Sequence, residues 1–273
     1  MRKAGKFDGV LFCTDLDGTI LRNDKTISKE NLEAISYFKS EGGSFTFITG
    51  RLPSYSMDIC NTIKPNVPFG CINGGGLYDH VTGKYIWSMN AGEGVMDLIR
   101  CIDEQLPNVG FQVSTFNATY FCKENKALRR FREAAKLPNL VCHYVDIQEP
   151  VAKVIFASDS EEEIAEMKQK LASHPLGQNF SYIRSEKTLY EILPLGSSKG
   201  LLIEKLSQYL GIDPNKTIAI GDYNNDISMF RAAKVGVAVA NACPDALAAA
   251  DYITVSNEEH AIAQVIADLE SGR

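Results

Sequence analysis

The sequence predicts an α/β fold, a parallel-sheet core interrupted by an inserted α+β module. Three observations predict it. Short apolar runs alternate with amphipathic stretches at both ends of the chain, as in βαβ units. The alternation gives way in the middle to hairpin-like strands. Acidic and small polar clusters follow the apolar runs, where open α/β sheets place their ligands. The core is expected over residues 1–83 and 194–273, and the insertion over 84–193.

The elements follow in order. Residues 10–14 form a strand, Val-Leu-Phe-Cys-Thr. Ser28 caps a helix to residue 40 with Leu32, Ile35 and Phe38 on one face, and Gly42-Gly43 ends it. Residues 44–49 form the second strand, Pro53 starts a helix to about residue 63, and 69–72 form the third strand. A hairpin then turns at Thr82-Gly83. The insertion carries a helix over 94–105, strands over 109–115 and 119–122, and a basic helix over 125–135. A strand over 153–157 precedes a helix from Ser160 to residue 171, with Glu161, Glu162 and Glu163 first and Lys168 and Lys170 last, which suits the macrodipole. Strands at 182–183 and 189–193 complete it. The alternating pattern then returns: a helix from Ser197 or Ser198 to residue 209, a strand over 217–220, a helix over 225–233, a strand over 235–239, a helix over 244–250, a short strand over 252–254 and a last helix over 259–269.

Composition bounds the function. Of 273 residues, 45% are hydrophobic and 23% charged, an ordinary globular balance. The net charge of −6 argues against nucleic acid or an anionic membrane as partner. No apolar run is long enough to span a bilayer. The N-terminal stretch from Met1 to Lys6 has no apolar segment behind it, so no secretory signal is expected. The seven cysteines, at 13, 60, 71, 101, 122, 142 and 243, are scattered, which fits reduced thiols and a cytoplasmic setting.

Four separated segments carry the chemistry. Asp15-Leu16-Asp17-Gly18-Thr19 closes the first strand, and Thr49-Gly50-Arg51 the second. Lys199 opens the helix after the insertion. Gly221-Asp222-Tyr223-Asn224-Asn225-Asp226 follows the strand over 217–220. Each alone is also an ordinary turn, cap or surface lysine; four in order at strand ends are not. Carboxylates placed beside a buried strand need a cation or several donors to stay ionised. A hard divalent cation with oxygen ligands lowers the repulsion between a carboxylate nucleophile and a phosphoryl group.

Together these segments resemble the haloacid dehalogenase (HAD) superfamily, and more narrowly its Cof-type phosphatases with a large inserted cap. The resemblance implies a Rossmann-like, HAD-like parallel-sheet core with the insertion as a substrate-selecting cap. It implies Asp15 as nucleophile forming an aspartyl-phosphate, Asp17 as general acid and base, and Lys199 as the cation that offsets charge. It implies Mg²⁺ as cofactor, held by Asp15, the backbone carbonyl of Asp17, Asp222 and Asp226. Thr49, Gly50, Arg51 and Asn225 are expected to bind substrate or phosphate. So is Asn73, in an Asn73-Gly74-Gly75-Gly76 turn that has Gly75 where the family has Ala. The partner is then a small phosphorylated metabolite, a sugar phosphate or similar; cap contacts such as Phe116, Asn117, Tyr120 and Arg184 stay unranked. Two other activities fit the same residues, a sugar phosphomutase of the same superfamily and a non-catalytic sugar-phosphate-binding regulator. A dinucleotide site is excluded, because no G-x-G-x-x-G follows the first strand.

Overall fold

The computed structural model of the chain describes residues 5–272. The first four residues of the N-terminal stretch, and residue 273 at the end of the expected core, lie outside the described residues. In chain order, β1 (Leu11–Thr14), α1 (Lys29–Ser40), β2 (Ser44–Phe47), α2 (Met57–Ile63), β3 (Phe69–Cys71), β4 (Gly76–Asp79) and β5 (Lys84–Ser88) come first. Next come α3 (Val95–Gln105), β6 (Gly110–Thr115), β7 (Thr119–Lys123), α4 (Lys126–Ala134), β8 (Leu140–Val141), β9 (Val151–Ala157), α5 (Glu161–Ser173), β10 (Phe180–Glu186) and β11 (Leu189–Pro194). The chain ends in α6 (Lys199–Leu210), β12 (Thr217–Gly221), α7 (Ile227–Ala232), β13 (Val235–Ala238), α8 (Pro244–Ala249), β14 (Tyr252–Ile253) and α9 (Ala261–Glu270).

Internal packing divides the chain after Trp87 and again after Ser197. The expected boundaries lie a few residues earlier in both places. β5 shares a sheet with β3 and β4, which keeps it with the first unit. After β11, Ser197 N donates to Pro194 O, and Ser198 then caps α6 by accepting from Leu201 N at 3.1 Å.

The outer segments form a parallel sheet in the order β14-β13-β12-β1-β2. β1 lies at its heart, paired with β12 and β2, and all four of its residues are buried. A strand covered on both faces reads as continuous apolar sequence, which is why β1 was legible. β3 continues beside β2 through one parallel bridge, Ile48 to Gly70. On one face α1 presents Ile35 and Phe38, both essentially unexposed. Phe38 meets Phe12 edge-on at 5.8 Å and Phe7 at 4.7 Å. Fully burying a ring of this size contributes roughly 1.5–3 kcal/mol.

The inserted segment forms a second sheet, in the order β10-β11-β9-β6-β7-β8. Its named pairings are antiparallel except β7 with β8. One face packs Val113, Val154, Phe156 and Ile192 against α3 and α5. The other packs Phe121, Ile155 and Leu189 against α4 through Ala127 and Leu128. The molecule is thus an α/β core with an inserted α+β module. Among the described residues, no helix is long and apolar enough to cross a membrane.

Several elements differ from expectation. The helix expected from Pro53 splits into a 3₁₀ turn, Pro53–Tyr55, and α2. The helix expected over 225–233 begins as a 3₁₀ turn, Asn224–Asp226. There the Asp226 carboxylate draws the Asp222 and Tyr223 amides onto itself and tightens the chain. The last helix starts later than expected, because His260 adopts φ +63 and interrupts the run.

Candidate active site

The sheet sets the site's positions. Asp15 is the first residue past β1, and its N–H donates to Ile220 O of β12 at 2.9 Å, so it extends the ladder. Thr49 follows β2, with its N–H on Gly70 O, and Asp222 follows β12. Three of the four segments therefore leave the carboxyl ends of neighbouring parallel strands. Lys199 arrives separately, as the first residue of α6.

Lys199 Nζ lies 2.6 Å from Asp15 Oδ1 and 2.6 Å from Asp226 Oδ1, and its side chain is 1% exposed. The second oxygen of Asp226 accepts from the backbone N–H groups of Asp222 and Tyr223, at 2.9 and 3.0 Å. Asp226, wholly buried, thus accepts from a lysine and two amides. Asp222 Oδ1 accepts from Thr19 Oγ1 at 3.0 Å. Gly18 sits against the same carboxylate at φ +80, where a Cβ would collide with Asp222 Oδ2. The glycine of the first motif is therefore required twice, by backbone angle and by space.

One oxygen each from Asp15, Asp222 and Asp226 lie within 4.8 Å of one another. Three carboxylates around one lysine leave surplus negative charge in a buried place, and the acidities show it. Burial pushes Asp15 up to about 7; Lys199 opposes this, and Asp226 and Asp17 add to it. Burial likewise pushes Asp222 up to about 8, with Asp226 and Asp15 adding to it. Burial works against the charge of Lys199, yet Asp15 and Asp226 hold it above the usual lysine range. A hard cation fits this donor set, since all three groups offer oxygen and share a charge deficit.

Asp17 is placed differently. Its carboxylate is not in that cluster. Arg51 Nε donates to Oδ2 at 2.9 Å, and Arg51 Nη2 and Lys25 Nζ both donate to Oδ1, at 2.8 and 2.9 Å. Burial would raise its pKa, but Arg51 and Lys25 outweigh burial and hold it below the usual carboxylate range. Of Asp17, the backbone carbonyl is what is left to serve a metal ion.

Asn73 lies in a strained turn. Ile72 and Asn73 take φ +58 and +49 in succession, and left-handed backbone is rare for a β-branched residue. The turn packs against the start of α6, since a Cβ on Gly74 would collide with the Ser198 backbone. It brings Asn73 Oδ1 to Asn225 Nδ2 at 3.2 Å. Gly50 lies against the same amide, where an added Cβ would come within 2.9 Å. The Asn225 Oδ1 is buried and has no hydrogen-bond partner in the protein.

The structure thus brings together Asp15, Asp222, Asp226 and Lys199 as one cluster, Asn73, Asn225 and Gly50 as a second, and Asp17 with Arg51 as a third. Sequence reasoning missed two contributors. Thr19 stood inside a quoted motif without a role, although a hydroxyl two residues from Asp17 is a ready carboxylate partner. Lys25 belongs to no motif, and no local signal marks it.

Comparison with known proteins supplies the family. The family model for haloacid dehalogenase-like hydrolases matches residues 12–266. YxeH of Bacillus subtilis is 28% identical over 271 residues, covering 95% of this chain and 97% of its own. The 5-amino-6-(5-phospho-D-ribitylamino)uracil phosphatase YwtE of Bacillus subtilis is 27% identical, covering 95% of this chain and 97% of its own. The structure of a haloacid dehalogenase-like hydrolase from Bacteroides thetaiotaomicron superposes with a TM-score of 0.82 at 25% identity, over 95% of this chain and 99% of that one. A match this long, on a fold with this site at its strand ends, means that the chain belongs to the haloacid dehalogenase-like hydrolases and is an enzyme of that family.

Proposed function

We propose that the protein is a Mg²⁺-dependent phosphatase that hydrolyses a small phosphorylated metabolite, a sugar phosphate or similar, through an aspartyl-phosphate. The observation that carries this reading is the buried lysine joining Asp15 to Asp226 beside Asp222. A carboxylate held by an ammonium at the end of a central strand is oriented for attack and shielded from water. The name of YwtE, a phosphatase of a phosphorylated ribityl compound, supports the substrate class. We place the reaction in the cytoplasm, which the seven cysteines, none in a disulfide, support.

In the first step an oxygen of Asp15 bonds to phosphorus as the phosphorus–ester oxygen bond breaks. Asp17, protonated in this reading once Arg51 leaves it for the phosphoryl group, gives that proton to the departing oxygen. In the second step water attacks phosphorus, Asp17 takes the water's proton, and the bond from phosphorus to Asp15 breaks. Inorganic phosphate leaves and both carboxyl groups return to their starting state. Lys199 offsets charge on Asp15 throughout, while Thr49, Gly50, Arg51, Asn73 and Asn225 supply donors to the phosphoryl group and its ester. Mg²⁺, which Asp15, Asp222, Asp226 and the Asp17 carbonyl would hold, would supply charge neutralisation for the phosphoryl group.

The test is phosphate release from an aryl phosphate and a panel of sugar, flavin, pyridoxal and ribityl phosphates, with Mg²⁺ and with EDTA. Wild type should turn over at least one ester only with Mg²⁺, and Asp15→Asn should not while unfolding at the same temperature. Wild-type turnover by Asp15→Asn would remove the nucleophile from the mechanism.

A further inference from the structure

Lys25 lies outside all four motifs, in a loop that is tightly pinned. Arg22 N donates to Thr26 O at 2.9 Å and Lys25 N to Arg22 O at 2.9 Å. Asp24 Oδ1 accepts from Thr26 N at 2.9 Å and from Thr26 Oγ1 at 2.6 Å. Lys25 takes φ +67 in this loop, a conformation that side chains other than glycine and asparagine seldom adopt. The loop leaves Lys25 Nζ 2.9 Å from Asp17 Oδ1, on the oxygen that Arg51 Nη2 also reaches.

Stability does not explain the arrangement. The side chains of Lys25 and Asp17 are 54% and 40% exposed, and ion pairs that open to water add little. Three donors on one carboxyl group do fix where its oxygens lie. We infer that Lys25 is a positioning residue for Asp17: with Arg51 it holds the carboxyl group where protons pass to and from the reacting oxygens. The inference rests on the phosphatase reading above. It also gives Lys25 a task that Arg51 alone does not perform. The planar fork of Arg51 matches a phosphoryl anion as well as a carboxylate. When Arg51 turns to the substrate, Lys25 stays on Oδ1 and keeps Asp17 from swinging into solvent. Both proton transfers then find the same oxygen in the same place.

The experiment compares wild type, Lys25→Met and Lys25→Arg in Mg²⁺. The substrates are an alkyl phosphate that wild type hydrolyses and p-nitrophenyl phosphate. An alkoxide needs a proton to leave, whereas nitrophenolate does not. Lys25→Met should lower kcat on the alkyl ester by about tenfold or more, with KM within about twofold. With the aryl ester the first-turnover burst should keep its rate while the steady state slows, and Lys25→Arg should recover most of both losses. An unchanged alkyl kcat overturns the inference. So does a raised KM at constant kcat, which would put Lys25 on the substrate anion. So does an equal fall in burst and steady state. A crystal structure of Lys25→Met soaked with inorganic phosphate, so that Arg51 is drawn to the anion, decides separately from turnover: Asp17 spread over several rotamers supports the inference, and Asp17 in its wild-type place overturns it. If wild type releases phosphate from no ester, the phosphatase reading fails, and that structure still decides whether Lys25 holds Asp17.

Discussion

Lys199 Nζ serves two buried carboxylates at 2.6 Å each, and no water-exposed cation can replace it there. Breaking a buried pair from one side leaves charges without a partner. Lys199→Met should therefore destabilise the metal-free protein by about 3 kcal/mol at pH 8. The loss should be smaller at pH 6, because Asp15 and Asp222, at about 7 and about 8, then take up protons and shed their charge. Urea unfolding in EDTA at the two pH values measures this. Equal losses at both would mean that the carboxylates do not carry the charge ascribed to them. At this scale the sequence was half legible. Asp15, Asp17 and Asp222 stand in local patterns, and Lys199 was marked only by the family resemblance. The pairing of Lys199 with Asp226 and of Asp17 with Arg51 and Lys25 needs side-chain geometry that no pattern holds.

At the scale of elements, the turns after the strands do the placing. β1 runs directly into Asp15, and the next turn is possible because Gly18 has neither side chain nor right-handed backbone. Gly18→Ala should keep the core folded but push Asp222 from its place, since the new methyl and the Asp222 carboxylate would claim the same space. The expected result is a loss of Mg²⁺ affinity of at least tenfold in isothermal titration, about 1.4 kcal/mol, with the far-ultraviolet circular dichroism unchanged. Unaltered affinity would show that Asp222 does not depend on this turn. The strained pair Ile72 and Asn73 was not legible, since nothing in Ile-Asn-Gly-Gly announces left-handed backbone on an isoleucine. Its cause is tertiary: the turn must fit against the start of α6. β8 was missed for a related reason. Two exposed residues become a strand only because β7 offers an edge.

For the whole molecule, the site couples folding to pH and metal. Asp15 and Asp222 have pKa values raised in the folded state, so the folded protein binds protons that the unfolded chain releases. Without metal, their contribution to stability is complete below about pH 4, the unfolded carboxylate value. It is lost as pH rises through about 7 and about 8. In the proposed reading Mg²⁺ would compete with those protons, so its stabilisation would run the other way. The gain in melting temperature on adding Mg²⁺ should thus be larger at pH 8 than at pH 6, read by calorimetry against EDTA controls. Equal gains would place the ion elsewhere.

The sequence by itself determined the α/β class and the insertion of a second module, and it singled out four segments as candidates for the site. It could do so because burial on both faces writes continuous apolar strands, and because three of the four motifs are runs of adjacent residues. Only the tertiary structure decided that Asp226 shares Lys199 with Asp15, that Thr19 serves Asp222, and that Asp17 answers to Arg51 and Lys25. Lys199 and Asp15 stand far apart in the chain, and only packing on a common sheet edge brings their charges within reach of each other.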